Sequence, residues 1–206
     1  SDEIRVGVIG CGGRGSGAAI NALQADPATV INAMADLFPD RLEGSRSSLS
    51  AHQTLGSRVR VTDETCFTGF DAYQRLLDEA EVDLVILATP PHFRPIHLQA
   101  AVAARKHVFM EKPVAVDPVG ARGVIAAGLV ADEEGLSIVS GTQRRHQASY
   151  LEAMARIHEG ALGGKVVSGN VCWNQGGLWV KDRAQGQSDM EWQLRNWLYF
   201  TWASGD

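Results

Sequence analysis

With 206 residues, 45% of them hydrophobic and 21% charged, the chain has the composition of an ordinary globular protein with ample core. Its net charge of −5, with no Lys/Arg run longer than Arg144-Arg145, argues against nucleic acid or an anionic membrane as the main partner. No apolar stretch approaches the ~20 residues that span a bilayer, and Cys11, Cys66 and Cys172 are too scattered to suggest a metal site or a disulfide.

In chain order, short apolar runs predict strands at Arg5–Ile9, Val30–Ala35, Arg58–Val61, Leu84–Ala88, Val108–Glu111 and Ser137–Ser140. Amphipathic segments between them predict helices at Gly15–Ala25, Asp40–His52, Asp71–Ala80, Pro95–Arg105 and Pro118–Glu134. Asp71 and Asp117 are expected N-caps, and Pro118 suits a first helical position. This alternation implies an α/β fold, a doubly wound parallel sheet over residues 1–145. After Gly141 the character changes. Gln147–Glu159 reads as a helix stopped by Gly160, Lys165–Trp173 as a long strand and Glu191–Phe200 as one more helix. All five tryptophans lie from Trp173 onward. A lone strand needs partners for its backbone edges, and this sequence offers none. Residues 146–206 are therefore expected to begin an incomplete α+β domain. The first strand follows the first residue closely, so no leader is expected. Ser1 in place of Met also admits a processed, exported form, and the compartment stays open, cytoplasmic by default.

Gly10, Cys11, Gly12, Gly13, Arg14 and Gly15 spell G-x-G-x-x-G between the first strand and the first helix. In that context the pattern is a Rossmann dinucleotide fingerprint. Gly10 makes the tight turn, Gly12 admits a pyrophosphate, and Gly15 packs helix on strand. The helix start then offers N–H groups to the phosphate charge. Asp36, at the end of the second strand, can accept the adenosine ribose hydroxyls and repel a 2′-phosphate, which favours NAD over NADP. Arg41 lies close enough in sequence to soften that preference.

Two later segments follow strands: ATPPHFRPIH at residues 88–97 and MEKP at residues 110–113. Together with GCGGRG and Asp36, and with GTQRRH at residues 141–146, they resemble the Gfo/Idh/MocA oxidoreductases over the whole chain. That resemblance implies that Lys112 lies beside the nicotinamide and hydrogen-bonds the substrate hydroxyl, held by Pro113 through a cis bond. It implies that Thr89, Pro90, Pro91, His92 and Glu111 line the nicotinamide side of the cofactor, and that Gln143 lies near its ribose. Arg144 and Arg145 contact substrate or form a hinge ion pair. His97, on a helix, is expected to be structural. Arg105 replaces a glycine common before the fifth strand, with an effect confined to the turn.

The activity implied is NAD-dependent transfer of hydride between a secondary hydroxyl of a sugar or polyol and nicotinamide. Relatives bring a histidine from a later helix to partner the lysine, whereas the last histidine here is His158. The chain alone is therefore expected to bind cofactor better than it turns over substrate. Homo-oligomers, where they form, are expected through the second domain. Two alternatives stay open: an NAD-dependent glycoside hydrolase of the same superfamily, and a non-catalytic dinucleotide-binding protein. An S-adenosylmethionine binder also uses a glycine turn and an acid, but gives the E-K-P segment no role.

Overall fold

The computed structural model describes residues 3–205; Ser1, Asp2 and Asp206 lie outside it, and with them the reading of Ser1 as a processing point. Two compact units emerge, one formed by residues 3–141 with residues 197–205 and the other by Thr142–Asn196. The sequence-based division at 145/146 thus falls four residues from the observed boundary, and residues 197–205 count with the first unit.

The first unit is built on a six-stranded, all-parallel sheet in the order β3-β2-β1-β4-β5-β6. The strands are β1 (Ile4–Ile9), β2 (Thr29–Asp36), β3 (Cys66–Thr68), β4 (Leu84–Leu87), β5 (His107–Met110) and β6 (Ile138–Ser140). The helices are α1 (Gly13–Ala25), α2 (Pro39–Ser50), α3 (Ala72–Glu79), α4 (Arg94–Ala103) and α5 (Pro118–Glu133). Alternate side chains of β4 and β5 enter different cores, as the pleat requires. Val8, Ile31 and Ile86 pack with Ala19 and Leu23 of α1 and Leu49 of α2. Ala33, Val85, Leu87 and Val108 pack with Leu76 of α3, Leu98 of α4 and Ala131 of α5. The strand order reverses between β1 and β4, and that switch point is where such sheets open a crevice at the carboxyl ends of their strands.

The local signals mostly hold. Asp117 caps α5 by accepting from the Gly120 N–H at 2.6 Å, with Pro118 following. Asp71 occupies the cap position of α3 but takes helical φ/ψ, and its side chain makes no cap bond. Arg105 is the one non-glycine with positive φ (57°) among the described residues, so it occupies the turn where a glycine would be unstrained. The strand expected at Arg58–Val61 does not form. Instead Gly56–Arg58 is a 3-10 turn, the Arg58 guanidinium donates to the carbonyls of Leu23, Asp26 and Thr29, and a single Ile31–Val59 bridge remains. The edge strand is Cys66–Thr68, paired with Met34–Asp36.

In the second unit, α6 (Ala148–His158) matches the expected helix. The strand expected at Lys165–Trp173 is irregular chain with Val167 90% and Val171 100% exposed, because no neighbour completes its hydrogen bonds. The helix expected at Glu191–Phe200 breaks into α7 (Asp189–Arg195), a 3-10 turn at Trp197–Tyr199 and α8 (Thr201–Ser204). Ser188 caps α7 by accepting from the Glu191 N–H, and this starts the helix earlier than expected. No helix among the described residues is long and apolar enough to cross a membrane.

Candidate functional site

The glycine turn joins β1 to α1 at the carboxyl edge of the sheet. Gly10 has φ 97°, and a Cβ there would meet the Thr89 backbone N at 2.6 Å, so only glycine lets β1 turn this close to β4. A Cβ on Gly15 would fall 1.8 Å from the Gly10 carbonyl oxygen, which makes this glycine the contact between helix and turn. Gly13 faces open space, and Gly12, in the cap position of α1, has no side chain to bond the N–H groups of the first turn. The bare N–H groups and dipole of a thirteen-residue helix therefore face outward where an anion can approach.

Asp36 ends β2 beside this turn. Its Oδ2 accepts from the Cys11 N–H at 2.6 Å and its Oδ1 from the Phe38 N–H at 2.9 Å. Burial pushes its carboxyl above the ordinary value of 3.8, against the pull of those two N–H donors and of Arg41. Arg41 stands close by, its Nη1 3.4 Å from where a Gly12 Cβ would be. Cys11 is buried and its thiol is pushed well up, by desolvation first and by Asp36 second. It serves as packing in the turn, not as a nucleophile.

Across the switch point, the ends of β4 and β5 are tied by a residue that the sequence did not single out. Arg94, the first residue of α4, is 2% exposed. Its Nη1 donates to the carbonyls of Leu87 at 2.8 Å and Glu111 at 2.6 Å, and its Nη2 donates to that of Thr89. Burial lowers its pKa to about 10, a value at which it still carries its charge at neutral pH. Its signal in the sequence was a charged residue just after an apolar strand, in HFRPIH. His97, one turn further along α4, is buried against Tyr73 with Nδ1 3.1 Å from Thr89 Oγ1. Burial, and then the charge of Arg94, lower its pKa to about 3. It is a neutral packing residue, as expected.

Glu111 is buried at the end of β5, its Oε1 2.6 Å from Arg14 Nη2 on the first turn of α1. This pair spans the two sides of the crevice. Lys112 follows, exposed, and the Lys112-Pro113 bond is cis. Thr89 and Pro90 continue β4, and Pro91–Phe93 form a 3-10 turn. There Trp202 packs edge-on against His92 and Phe93, with centroids 5.3 and 6.4 Å away. At least this tryptophan is used in packing. The structure thus gathers Gly10–Gly15, Asp36, Arg41, Thr89–His92, Glu111 and Lys112 in the first unit. Gln143, Arg144 and Arg145 lie in the second, where the Arg144 guanidinium stacks on Tyr150 and Trp173 at 5.0 and 5.1 Å. Among the described residues no group of three or more His, Cys, Asp or Glu is placed to hold a metal.

Residues 4–136 match the oxidoreductase family Gfo/Idh/MocA, NAD-binding Rossmann fold. The chain is 29% identical over 163 residues to dTDP-3,4-didehydro-2,6-dideoxy-alpha-D-glucose 3-reductase of Actinomadura kijaniata, a match covering 79% of this chain and 43% of the relative. It is 34% identical over 114 residues to a glycosyl hydrolase family 109 protein of Streptomyces coelicolor, covering 55% of this chain and 23% of the relative. Scyllo-inositol dehydrogenase from Lactobacillus casei, solved with NAD(H) and scyllo-inositol, shares the fold with a TM-score of 0.62 at 24% identity, over 78% of this chain and 42% of that one. A 3-ketoreductase from Actinomadura kijaniata, solved with TDP-benzene and NADP, gives a TM-score of 0.59 at 28% identity, over 77% of this chain and 44% of that one. The chain therefore spans less than half the length of these relatives.

Proposed function

The chain belongs to the Gfo/Idh/MocA oxidoreductases, through their NAD(P)-binding Rossmann domain, and from that membership we propose that it is the nucleotide-binding part of an NAD-dependent dehydrogenase of sugar or polyol hydroxyls. One observation carries the reading: the uncapped start of α1 and the E-K-P lysine occupy the same carboxyl edge, on either side of the β1/β4 switch point.

The residues present fit a dinucleotide. Gly12 and Gly13 leave open the space that a Cβ would begin to fill, and the turn Gly10–Gly15 would hold a pyrophosphate on backbone N–H groups. Asp36 would accept the adenosine ribose hydroxyls and disfavour a 2′-phosphate. Arg41 beside Gly12 moderates that preference without reversing it, because Asp36 is the group fixed by two backbone donors. Thr89, Pro90, Pro91, His92 and Glu111 would line the nicotinamide side. When bound, the nicotinamide supplies the hydride acceptor. Lys112 would hold the substrate hydroxyl and take or relay its proton.

The test has two stages. Titration of the chain with NAD and NADP should show saturable binding with NAD favoured, and no affinity for either dinucleotide would end the proposal. In the intact protein, Lys112→Ala should lower kcat by about 10²–10⁴-fold while NAD affinity stays within about twofold of wild type. The 34% identity to the Streptomyces coelicolor protein supports a second reading, transient oxidation of a glycoside followed by its hydrolysis. Release of a nitrophenol from a nitrophenyl glycoside without net NADH would favour that reading, and net NADH from a free sugar would favour the first.

A further inference from the structure

We propose that Arg94 is a positioning residue for the nicotinamide end of the site, setting the backbone from which Thr89, Pro90, Glu111 and Lys112 face the cofactor. The inference rests on the reading of that site given above.

The ladder between β4 and β5 ends with the Glu111 N–H donating to the Leu87 carbonyl at 2.9 Å. Beyond it the two chains diverge, one into Thr89-Pro90-Pro91 and the other into Lys112-Pro113. Pro90, Pro91 and Pro113 have no N–H with which to extend the ladder. The Arg94 guanidinium takes over at that point. Its planar fork reaches the carbonyl of Leu87 in the last ladder position, that of Thr89 on one branch and that of Glu111 on the other. A lysine, with a single point charge, could not span these three acceptors in fixed geometry.

Nothing about starting α4 calls for this residue. Pro95 already favours the first helical turn, and Leu98, Ala101 and Val102 bury the helix on an apolar core. An apolar side chain would fill the Arg94 position without desolvating a cation. The burial is costly enough to depress the pKa of Arg94, and its Nε is buried without a hydrogen-bond partner. What the cation does supply is one rigid tie among three carbonyls, each within one residue of Ala88, Pro90 or Lys112. The glycine turn that receives the pyrophosphate lies on the other side of the switch point, where Gly10 and Cys11 donate to Ala35 and Asp36 of β2.

This separates the two halves of a dinucleotide and supplies the test. ADP-ribose has the pyrophosphate and both riboses but lacks nicotinamide. The chain and its Arg94→Met and Arg94→Lys variants are titrated with ADP-ribose and with NAD, and Lys112 is followed by reductive methylation with and without NAD. The wild type should bind NAD more tightly than ADP-ribose, and NAD should shield Lys112. Arg94→Met should lose about tenfold in NAD affinity, keep its ADP-ribose affinity within about twofold, and leave Lys112 open to methylation in the presence of NAD. Arg94→Lys should recover part of both effects. Three results would overturn the proposal: equal binding of the two ligands by wild type, no change in either variant, or a parallel loss of both ligands in both variants. The last of these is the signature of a purely structural residue. If wild type binds neither ligand, the dinucleotide reading itself fails and takes this inference with it.

Discussion

The two ends of the parallel sheet handle charge in opposite ways. At the amino ends of the strands, charged side chains are largely exposed and pair with one another: Arg5 with Asp83 and Glu81, Arg60 with Glu3, Arg105 with Glu134. Arg58, which grips backbone carbonyls at the end of α1, is the exception. At the carboxyl ends Lys112 is exposed and Glu111 pairs with Arg14, but two buried charges hold backbone instead. Asp36 accepts two N–H groups, and Arg94 donates to three carbonyls. Exposed pairs each contribute at most about 1 kcal/mol, whereas a buried ion costs desolvation that packing alone would avoid. The costly arrangement sits only around the crevice, so changes there should alter binding, and changes at the opposite end should alter stability alone.

The harshest challenge to that contrast is Gly15→Val. With a Cβ 1.8 Å from the Gly10 carbonyl oxygen, the turn and α1 must separate. The expected cost is about 3 kcal/mol, read from urea unfolding, together with complete loss of dinucleotide binding. A variant that still binds would show that the turn is not the phosphate site.

Acidification comes next in size. His97 is buried and neutral with its pKa lowered to about 3, against an ordinary 6.5. The unfolded chain therefore takes up a proton that the folded chain refuses. This contribution is fully present above about pH 6.5 and is lost as the pH falls toward 3. Between pH 7 and pH 5 it amounts to about 2 kcal/mol. His97→Gln should lose that much less over the same interval, and equal slopes for the two proteins would mean that His97 is protonated in the fold.

A smaller effect is expected at Asp36. Asp36→Ala removes the carboxylate proposed to disfavour a 2′-phosphate and leaves Arg41 in place, so the ratio of NADP to NAD affinity should rise about tenfold. An unchanged ratio would remove Asp36 from cofactor selection.

The elements that the sequence disclosed are those whose signals are local. Five of the six strands lay within a residue or two of their predicted runs, because buried parallel strands are continuous apolar segments bounded by glycine, proline or acid. The glycine turn and the position of Asp36 beside it were legible because both follow from spacing along one βαβ unit. Arg58–Val61 and Lys165–Trp173 also carried valine-rich runs and formed no strand. The first is drawn off by Arg58 reaching the carbonyls at the end of α1, and the second has no neighbour to pair with. Pairing is a property of two segments, and a pattern in one of them cannot guarantee it. Arg94 was missed for a related reason. Local rules place an arginine at the surface, and only the convergence of β4, β5 and α4 gives this one three carbonyls to hold.

The mildest perturbation belongs to the amino end, and it tests the contrast from the other side. Hydrogen bonding to Arg5 holds the Asp83 carboxyl down to about 2, from an ordinary 3.8. The depressed value means that the folded chain keeps Asp83 ionised where the unfolded chain does not. The stabilisation is therefore present above about pH 4 and is lost as the pH falls through 2. With the Asp83 side chain 39% exposed, screening limits it to about 1 kcal/mol at most. Asp83→Asn should reduce urea stability at pH 7 by no more than that and flatten the acid limb below pH 4. Its affinity for NAD should equal that of wild type, since the nearest elements of the crevice lie at the far end of β1 and β4. A change in affinity would mean that the two ends of the sheet are coupled, and the separation of binding from stability would then fail.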